Sequence, residues 1–144
     1  MSPPLEPGVA YVGAARTITD AEIALLPALM GAVNALFHDE ESARRGPLGR
    51  RVLYGPALLG IAIAGTELFL REHVIGLLGI TDLRFRTAVG AGDTVTPTLT
   101  VVERINRPDK AGDLLRLGDQ VHNQHGALVL EFTRTVMVRH EERT

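Results

Sequence analysis

The side chains able to do chemistry begin with a short group, Asn34, His38 and Asp39, in the stretch M-G-A-V-N-A-L-F-H-D-E-E-S-A. A histidine beside an aspartate could form an acid/base pair, because proton transfer to a substrate needs titratable groups close to it. Neighbours in sequence point to different faces of a helix or extended turn, however, which favours a solvated turn in which Asp39 caps the following helix. Asn34 could orient a water or a substrate carbonyl, or it could hold this turn through side-chain to backbone bonds.

Two further side chains, Tyr54 and Glu67, flank an apolar run of the chain. Tyr54 comes just before Gly55-Pro56, and its phenol could serve as a hydrogen-bond donor or an acid, although tyrosine is also an ordinary packing residue. Glu67 lies about three helical turns beyond Gly55. Because a carboxylate so far along the helix cannot meet a group held at Gly55, we expect Glu67 to have no part in the chemistry.

Histidine and arginine pairs occur later in the chain. His122 and His125 form H-x-x-H, but residues three apart on a strand face opposite sides, and no cysteine or carboxylate completes a ligand set. We therefore expect no metal site. Arg84 and Arg86 alternate with apolar residues, which places both guanidinium groups on one face of a strand. That face could reach the phosphate groups of a ligand, although a solvated outer face is favoured.

Composition limits the classes of function. The chain of 144 residues is long enough for one domain with its own core, and 15 basic against 17 acidic residues give a net charge of −2. With no basic block, nucleic acid is not an expected partner. Cysteine is absent, which excludes disulfides and thiolate chemistry.

The N-terminal residues, M-S-P-P-L-E-P-G, carry neither a basic leader nor an apolar signal core, so a cytoplasmic location is expected by default. Residues 1–8 are rich in proline and predict a flexible leader, followed by a single domain over residues 9–144.

An apolar stretch over Gly55–Leu70 predicts the central helix of that domain. Pro56 suits the first turn of a helix, and a helix without a polar face has to be enclosed by the rest of the chain. A membrane span would need about 20 apolar residues, whereas this run is shorter and is interrupted at Glu67. Gly60 and Gly65 weaken the helix, which predicts the close approach of another backbone at each.

The segment before this helix predicts a strand and a second helix. Val9–Ile18 has strand character, and T-D-A-E from Thr19 is a capping box that starts a helix at Asp20. Pro27 lies within that helix and predicts a kink or a change of helix. Helical spacing predicts that one face is buried, formed by Ile23, Leu26, Met30 and Val33.

After the central helix, the pattern of apolar residues changes to alternation. Strands with short turns between them, and hence antiparallel neighbours, are predicted at Ile80–Val89, Thr94–Ile105, Leu114–His122 and Leu128–His140.

The order of strand, helical lead-in, buried helix and four-strand meander resembles the α+β hot-dog fold, in which an antiparallel sheet wraps a central helix, here at about Gly55–Leu70. The stretches Met30–Ala43, R-V-L-Y-G before the helix and F-R-T-A-V-G-A-G-D-T-V-T from Phe85 narrow the resemblance to the MaoC-like, (R)-specific enoyl-thioester hydratases. The resemblance extends from about Thr17 to Val138.

Membership of this family would imply an enoyl or 3-hydroxyacyl thioester as ligand, carried on coenzyme A or an acyl carrier protein, with its acyl chain along the apolar helix. It would imply hydro-lyase chemistry in fatty acid or polyketide metabolism, no cofactor and no membrane. It would also imply a dimer with itself or with a related hot-dog subunit. Backbone N–H groups at the start of the central helix would donate to the thioester oxygen, where charge builds as the enolate forms.

The family motif S/T-G-D-x-N-P-x-H-x-D supplies the catalytic Asp and His. Matching Gly31, Asn34 and Asp39 to it puts Ala32 at the Asp position and Phe37 at the His position. Neither side chain can transfer a proton. The predicted catalytic residues that could take their place are Asn34, His38 and Tyr54. The predicted substrate-binding residues are Ala32, Phe37, Gly55, Gly60, Arg84 and Arg86.

Two functions follow from the resemblance. The chain is either an enzyme run by these substituted groups, or a non-catalytic subunit that shapes the pocket for a partner with an intact Asp/His pair. A third alternative is a hot-dog protein repurposed for a different biosynthetic reaction.

Overall fold

A computed structural model describes residues 4–141. The helices are α1 Asp20–Leu29, α2 Ala35–His38, α3 Glu40–Arg45, α4 Gly55–Ala64 and α5 Glu67–Leu70. The strands are β1 Ala10–Val12, β2 Arg16–Thr17, β3 Val74–Phe85, β4 Thr94–Ile105, β5 Asp113–His122 and β6 Leu128–Val138. All strand pairs are antiparallel, in the order β1-β4-β5-β6-β3, and β2 also pairs with β4.

The sheet curves around α4, as the hot-dog resemblance implied. Alternate residues of β4, β5 and β6 are buried, so each of these strands turns one face towards the helix. One core cluster joins Leu58 and Ala62 of α4 to Val95, Val121 and Phe132 of the sheet. The α+β hot-dog prediction is confirmed.

The lead-in to α4 starts as predicted and then departs from the prediction. Thr19 accepts a hydrogen bond from the Glu22 N–H at 3.2 Å, and Glu22 bonds back to Thr19, which confirms the capping box. The predicted buried face is wrong in its second half, because Met30 is 53% exposed and Val33 is 90% exposed. The helix ends two residues after Pro27, so the later residues no longer keep helical spacing.

The predicted single helix to Leu70 is also wrong, because it is interrupted at Gly65 and Thr66 between α4 and α5. A Cβ on Gly13 would lie 2.4 Å from the Gly65 carbonyl oxygen, and a Cβ on Gly65 would lie 2.6 Å from Pro97 Cγ. The predicted close approach is therefore confirmed at Gly65. It is wrong at Gly60, where no atom lies within 4 Å of an added Cβ.

Strand bounds match the prediction best where the alternation of apolar residues is regular. The bounds of β4 are those predicted, and β5 and β6 differ only at their ends. β3 begins at Val74 rather than Ile80, because glycines and three register shifts against β6 hide its alternation. The predicted first strand is two short strands, interrupted after Val12.

β3 is the last strand of the sheet, so one of its edges has no neighbour among the described residues. Ile75, Leu77 and Leu78 are exposed on it.

Residues 4–8 of the predicted leader lie against the sheet, while residues 1–3 fall outside the described part of the chain. Leu5 is buried, Gly8 donates its N–H to the Val101 carbonyl at 2.8 Å, and Tyr11 Oη donates to the Pro4 carbonyl at 2.5 Å. Between residues 4 and 141, no helix has the length and apolar character needed to cross a membrane.

Candidate functional site

A pocket of about 270 Å³ opens at the first turn of α4. Its walls come from α2, from the start of α4 with the residues before it, and from the chain that follows β3. Most of its side chains are apolar; the lining is Leu36, Phe37, Val52, Leu53, Gly55, Leu58, Phe85, Arg86, Thr87, Ala88 and Val89.

Backbone hydrogen bonds fix two of these walls. The Leu53 N–H donates to the Val89 carbonyl at 2.7 Å, which ties the segment before α4 to the segment after β3. The Arg86 N–H donates to the Val129 carbonyl at 2.8 Å, and the Thr87 hydroxyl donates to the Leu128 carbonyl at 3.0 Å. The pocket is therefore bounded by backbone that the sheet holds in place.

In the described part of the chain, one backbone N–H in the first turn of α4 has no hydrogen-bond partner. The Tyr54 carbonyl accepts from the Ala57 N–H at 2.9 Å and the Leu58 N–H at 3.0 Å, and Pro56 has no N–H to donate. Within residues 4–141, the Gly55 N–H has no hydrogen-bond partner. It lies at the positive end of the helix dipole, which favours an oxygen that carries developing negative charge.

Aromatic side chains lie beside Gly55 and beside the preceding residue, Tyr54. The Cζ atom of Phe85 lies 3.0 Å from the point where a Cβ on Gly55 would be, so the absence of a side chain at position 55 makes room for the ring. Phe37 meets Tyr54 edge to face, with ring centroids 5.1 Å apart. The half-buried Tyr54 also packs on the core around α4.

The polar side chains predicted for catalysis are engaged within their own segment. Asn34 Oδ1 accepts from the Leu36 N–H at 2.9 Å and caps α2, while Asp39 Oδ1 accepts from the Ser42 N–H at 3.0 Å and caps α3. His38 Nε2 lies 2.6 Å from the Ala32 carbonyl oxygen. Because a carbonyl only accepts, Nε2 carries the proton in this contact.

Of the residues predicted to bind substrate, the structure brings Phe37, Gly55 and Arg86 to the pocket. Arg86 also forms an ion pair with Glu131, with 3.0 Å between Nη2 and Oε1. Arg84 is not in the pocket lining, and its Nη1 donates to the Leu83 carbonyl.

Ala32 and Gly60 likewise lie outside the pocket lining, as do Asn34, His38 and Tyr54. In the described part of the chain, no group of three or more His, Cys, Asp or Glu side chains could hold a metal ion.

The sequence analysis missed a buried ion pair below the break between α4 and α5. Arg134 donates to both carboxylate oxygens of Asp119, at 3.0 and 2.7 Å, and to the Thr66 hydroxyl at 2.9 Å. Burial raises the pKa of the Asp119 carboxyl, and the charge and hydrogen bonds of Arg134 act in the opposite direction. The alternation of β5 and β6 was the available signal, because it places both side chains on buried faces.

A second missed group surrounds the buried Asp113, at the start of β5. The backbone N–H of Arg107 lowers the pKa of this carboxyl, and the side chains of Arg104 and His140 lower it further, against the effect of burial. The contacts measure 2.9 Å from Arg107 N to Oδ1, 3.0 Å from Arg104 Nη2 to Oδ2 and 2.9 Å from His140 Nδ1 to Oδ1.

No family model matches the chain. A curated relative, the beta-methylmalyl-CoA dehydratase of Chloroflexus aurantiacus, is 32% identical over 125 residues, which are 86% of this chain and 35% of that protein. The chain thus spans about a third of the length of the curated relative it matches.

Two solved structures have similar folds. A putative MaoC domain dehydratase from Chloroflexus aurantiacus is 29% identical with a TM-score of 0.88, over 95% of this chain and 39% of that one. The (R)-hydratase from A. caviae, described as involved in PHA biosynthesis, is 27% identical with a TM-score of 0.73, over 92% of this chain and 96% of that one.

Proposed function

We propose that this chain, a hot-dog protein whose relatives are MaoC-like dehydratases and (R)-hydratases, binds an enoyl or 3-hydroxyacyl thioester and serves its hydration or dehydration. The single observation that carries the proposal is the Gly55 N–H at an apolar pocket, which has no hydrogen-bond partner among residues 4–141. A thioester oxygen that accepts this bond would gain negative charge as the enolate forms. A fixed donor is worth most at such a position.

The walls of the pocket suit the rest of such a ligand. Apolar side chains such as Phe37 and Leu58 would cover the acyl group, and their burial of it would supply most of the affinity. Arg86, whose side chain is about half exposed, would pair with the phosphates of coenzyme A or of an acyl carrier protein. We keep the cytoplasmic location expected from the sequence as part of the proposal.

Two versions of this function differ in which chain supplies the acid/base group for the proton transfers. Addition of water needs an acid/base group beside the substrate. Among the described lining residues there is no carboxylate or imidazole, and Ala32 and Phe37 stand at the positions of the family pair. That lack favours a second candidate, a subunit that binds the thioester while a related partner supplies the acid and base. In the first candidate, Tyr54, His38 or Asn34 would reach the substrate after moving from the contacts seen here.

The free edge of β3 supports an assembly of two such units. A strand of this length with exposed Ile75, Leu77 and Leu78 is an unfavourable edge to leave in water. Pairing it with the same strand of a second copy, or with a related hot-dog subunit, would cover these side chains.

The test is hydration of trans-2-butenoyl-CoA and trans-2-octenoyl-CoA by the purified chain, followed as loss of enoyl-thioester absorbance. Tyr54→Phe, His38→Ala and Asn34→Ala are assayed beside the parent chain, because loss of the catalytic acid or base should lower turnover by about 100-fold or more. Turnover by the parent that collapses in one variant supports the enzyme and identifies its acid or base.

Thioester binding without turnover, measured by calorimetry, supports the subunit version. If the chain neither binds nor turns over these thioesters, the thioester assignment is overturned.

A further inference from the structure

The pocket is short along the helix. Its lining includes Gly55 and Leu58 but no later residue of α4, which is a length of about 4.5 Å along the helix axis. At about 270 Å³ it also falls below the roughly 300–1,000 Å³ typical of small-molecule sites. Leu58 is 3% exposed and belongs to the central core, so the inner end of the pocket is fixed by packing that a ligand cannot easily displace.

Phe85 also lines the pocket, but its side chain is less constrained than that of Leu58. Its backbone pairs with Leu130 in the sheet, and the next residue is bonded to the Val129 carbonyl, so the main chain cannot retreat. The side chain is 49% exposed, however, although it lies against the Gly55 backbone. A smaller side chain at position 85 should therefore enlarge the pocket without opening the core.

We infer that Phe85 determines which acyl thioesters the site accepts, by confining the acyl group between its ring and Leu58 to a few carbon atoms. This inference rests on the proposed function and narrows it to short-chain substrates. The position of the ring also depends on Gly55, because a Cβ at that position would lie 3.0 Å from Phe85 Cζ. Gly55 thus offers the donor and also seats the ring that limits the chain.

Calorimetry with the saturated thioesters butanoyl-CoA and octanoyl-CoA tests the inference without interference from turnover. The parent chain should bind butanoyl-CoA more tightly than octanoyl-CoA. Phe85→Ala should shift the ratio of the two affinities towards octanoyl-CoA by about ten-fold or more, since a methylene accepted or rejected by an apolar pocket changes discrimination by about ten-fold upwards.

Leu78→Ala is the matched control. Leu78 is on the same strand, is 55% exposed and is not part of the pocket lining, so it reports any effect that acts through the edge of β3. Its affinity ratio should equal that of the parent. A Phe85→Ala ratio equal to that of the parent would overturn the inference while the proposed function stands. Failure of the parent to bind either thioester would instead overturn the proposed function.

A second pair of variants tests the contact itself. Gly55→Ala should weaken binding of both thioesters, because the added methyl group displaces the ring into the pocket. Adding Phe85→Ala to Gly55→Ala should restore octanoyl-CoA binding to within about ten-fold of Phe85→Ala alone, since the clash is then removed. Circular dichroism spectra matching the parent show that each variant is folded. If the effects of Gly55→Ala and Phe85→Ala on the binding free energy of octanoyl-CoA are additive, the contact between the two residues does not influence binding.

Discussion

The surroundings of α4 are apolar at its start and contain a buried ion pair at its end. At its start, the surroundings are apolar, a backbone donor is unpartnered within residues 4–141, and a half-exposed ring lies over a glycine. At its end, an arginine and a carboxylate are almost fully buried, and their hydrogen bonds converge on the helix break through Thr66. The difference shows that the buried ion pair lies at the end of α4, whereas the charged side chain in the pocket lining, Arg86, is about half exposed.

The close approach of backbones adds to this contrast. At the end of α4, Gly13, Gly65 and Pro97 meet without room for another atom. At the start, the missing side chain of Gly55 leaves a space that Phe85 fills from outside the core. One end is therefore expected to tolerate almost no change, while the other accepts changes that alter binding more than folding.

The largest effect is expected from breaking the buried pair. Arg134→Ala or Asp119→Ala should lower the free energy of unfolding by about 3–5 kcal/mol, because each leaves a buried charge without its partner. Urea denaturation measures the loss. Replacing both residues, as Asp119→Leu with Arg134→Met, should recover most of the lost free energy of unfolding.

The exposed pair of Arg116 and Glu103 is the control, and Arg116→Ala should cost about 0–1 kcal/mol. Equal losses for the buried and exposed pairs would remove the contrast between the two ends.

Crowding the end of α4 should have the next largest effect. Gly65→Ala and Gly13→Ala each add a methyl group where an atom already lies within 2.6 Å, so we expect a loss of about 1–3 kcal/mol from overpacking. Thermal unfolding followed by circular dichroism reports it. An unchanged melting temperature would mean that the two backbones can separate at no cost.

The carboxyl of Asp113 should make stability depend on pH. Its pKa is lowered in the folded chain, so its contribution is present above the unfolded value of about 4 and is lost as the pH falls through the folded value. Asp113→Asn should therefore cost about 1–3 kcal/mol at neutral pH, from lost hydrogen bonds to charged groups. The difference from the parent should disappear in strong acid. Urea denaturation at pH 7 and at successively lower pH, down to below the lowered pKa of Asp113, measures both limits. A difference that grows in acid would reverse the assigned direction.

The smallest effect is a gain. Gly60→Ala adds a methyl group to a helix position with no atom within 4 Å, so it should stabilise the isolated chain by up to about 1 kcal/mol through helix propensity. Differential scanning calorimetry of Gly60→Ala beside Gly65→Ala would show opposite shifts from the same chemical change. A loss at Gly60 would indicate that another subunit covers that side of α4.

Features encoded by neighbouring residues were predictable from the sequence. The capping box at Thr19 and the bounds of β4 depend on local hydrogen bonding and on alternation, and both are confirmed. At the helix break, Gly65 is a local signal that weakens the helix, but its contacts are with Gly13 and Pro97, which are far from it in sequence. The local pattern alone therefore did not tell whether the helix would end there. The register shifts of β3 likewise appear only once β6 lies beside it.

The pocket shows the same division between local and distant information. Its lining includes Phe37, Gly55 and Arg86, which the sequence analysis had selected, but the other selected residues lie outside it: Ala32, Asn34, His38, Tyr54, Gly60 and Arg84. The contact of Phe85 with Gly55 was not predicted, because it joins the end of a strand to the start of a helix. The pairing of Asp119 with Arg134 requires the register of β5 against β6, although alternation had already placed each side chain inwards.

The strand order has a consequence for how the protein folds. β4, β5 and β6 follow one another as hairpins, so their pairing closes only short loops. β3 instead pairs with β6, and the loop between these two strands contains all of β4 and β5. Because closing a long loop costs more entropy, we expect the hairpins to form first and β3 to join late. The wall that carries Phe85 is the end of β3, so the ability to bind a ligand should appear in the last step of folding, after most of the sheet is already in place.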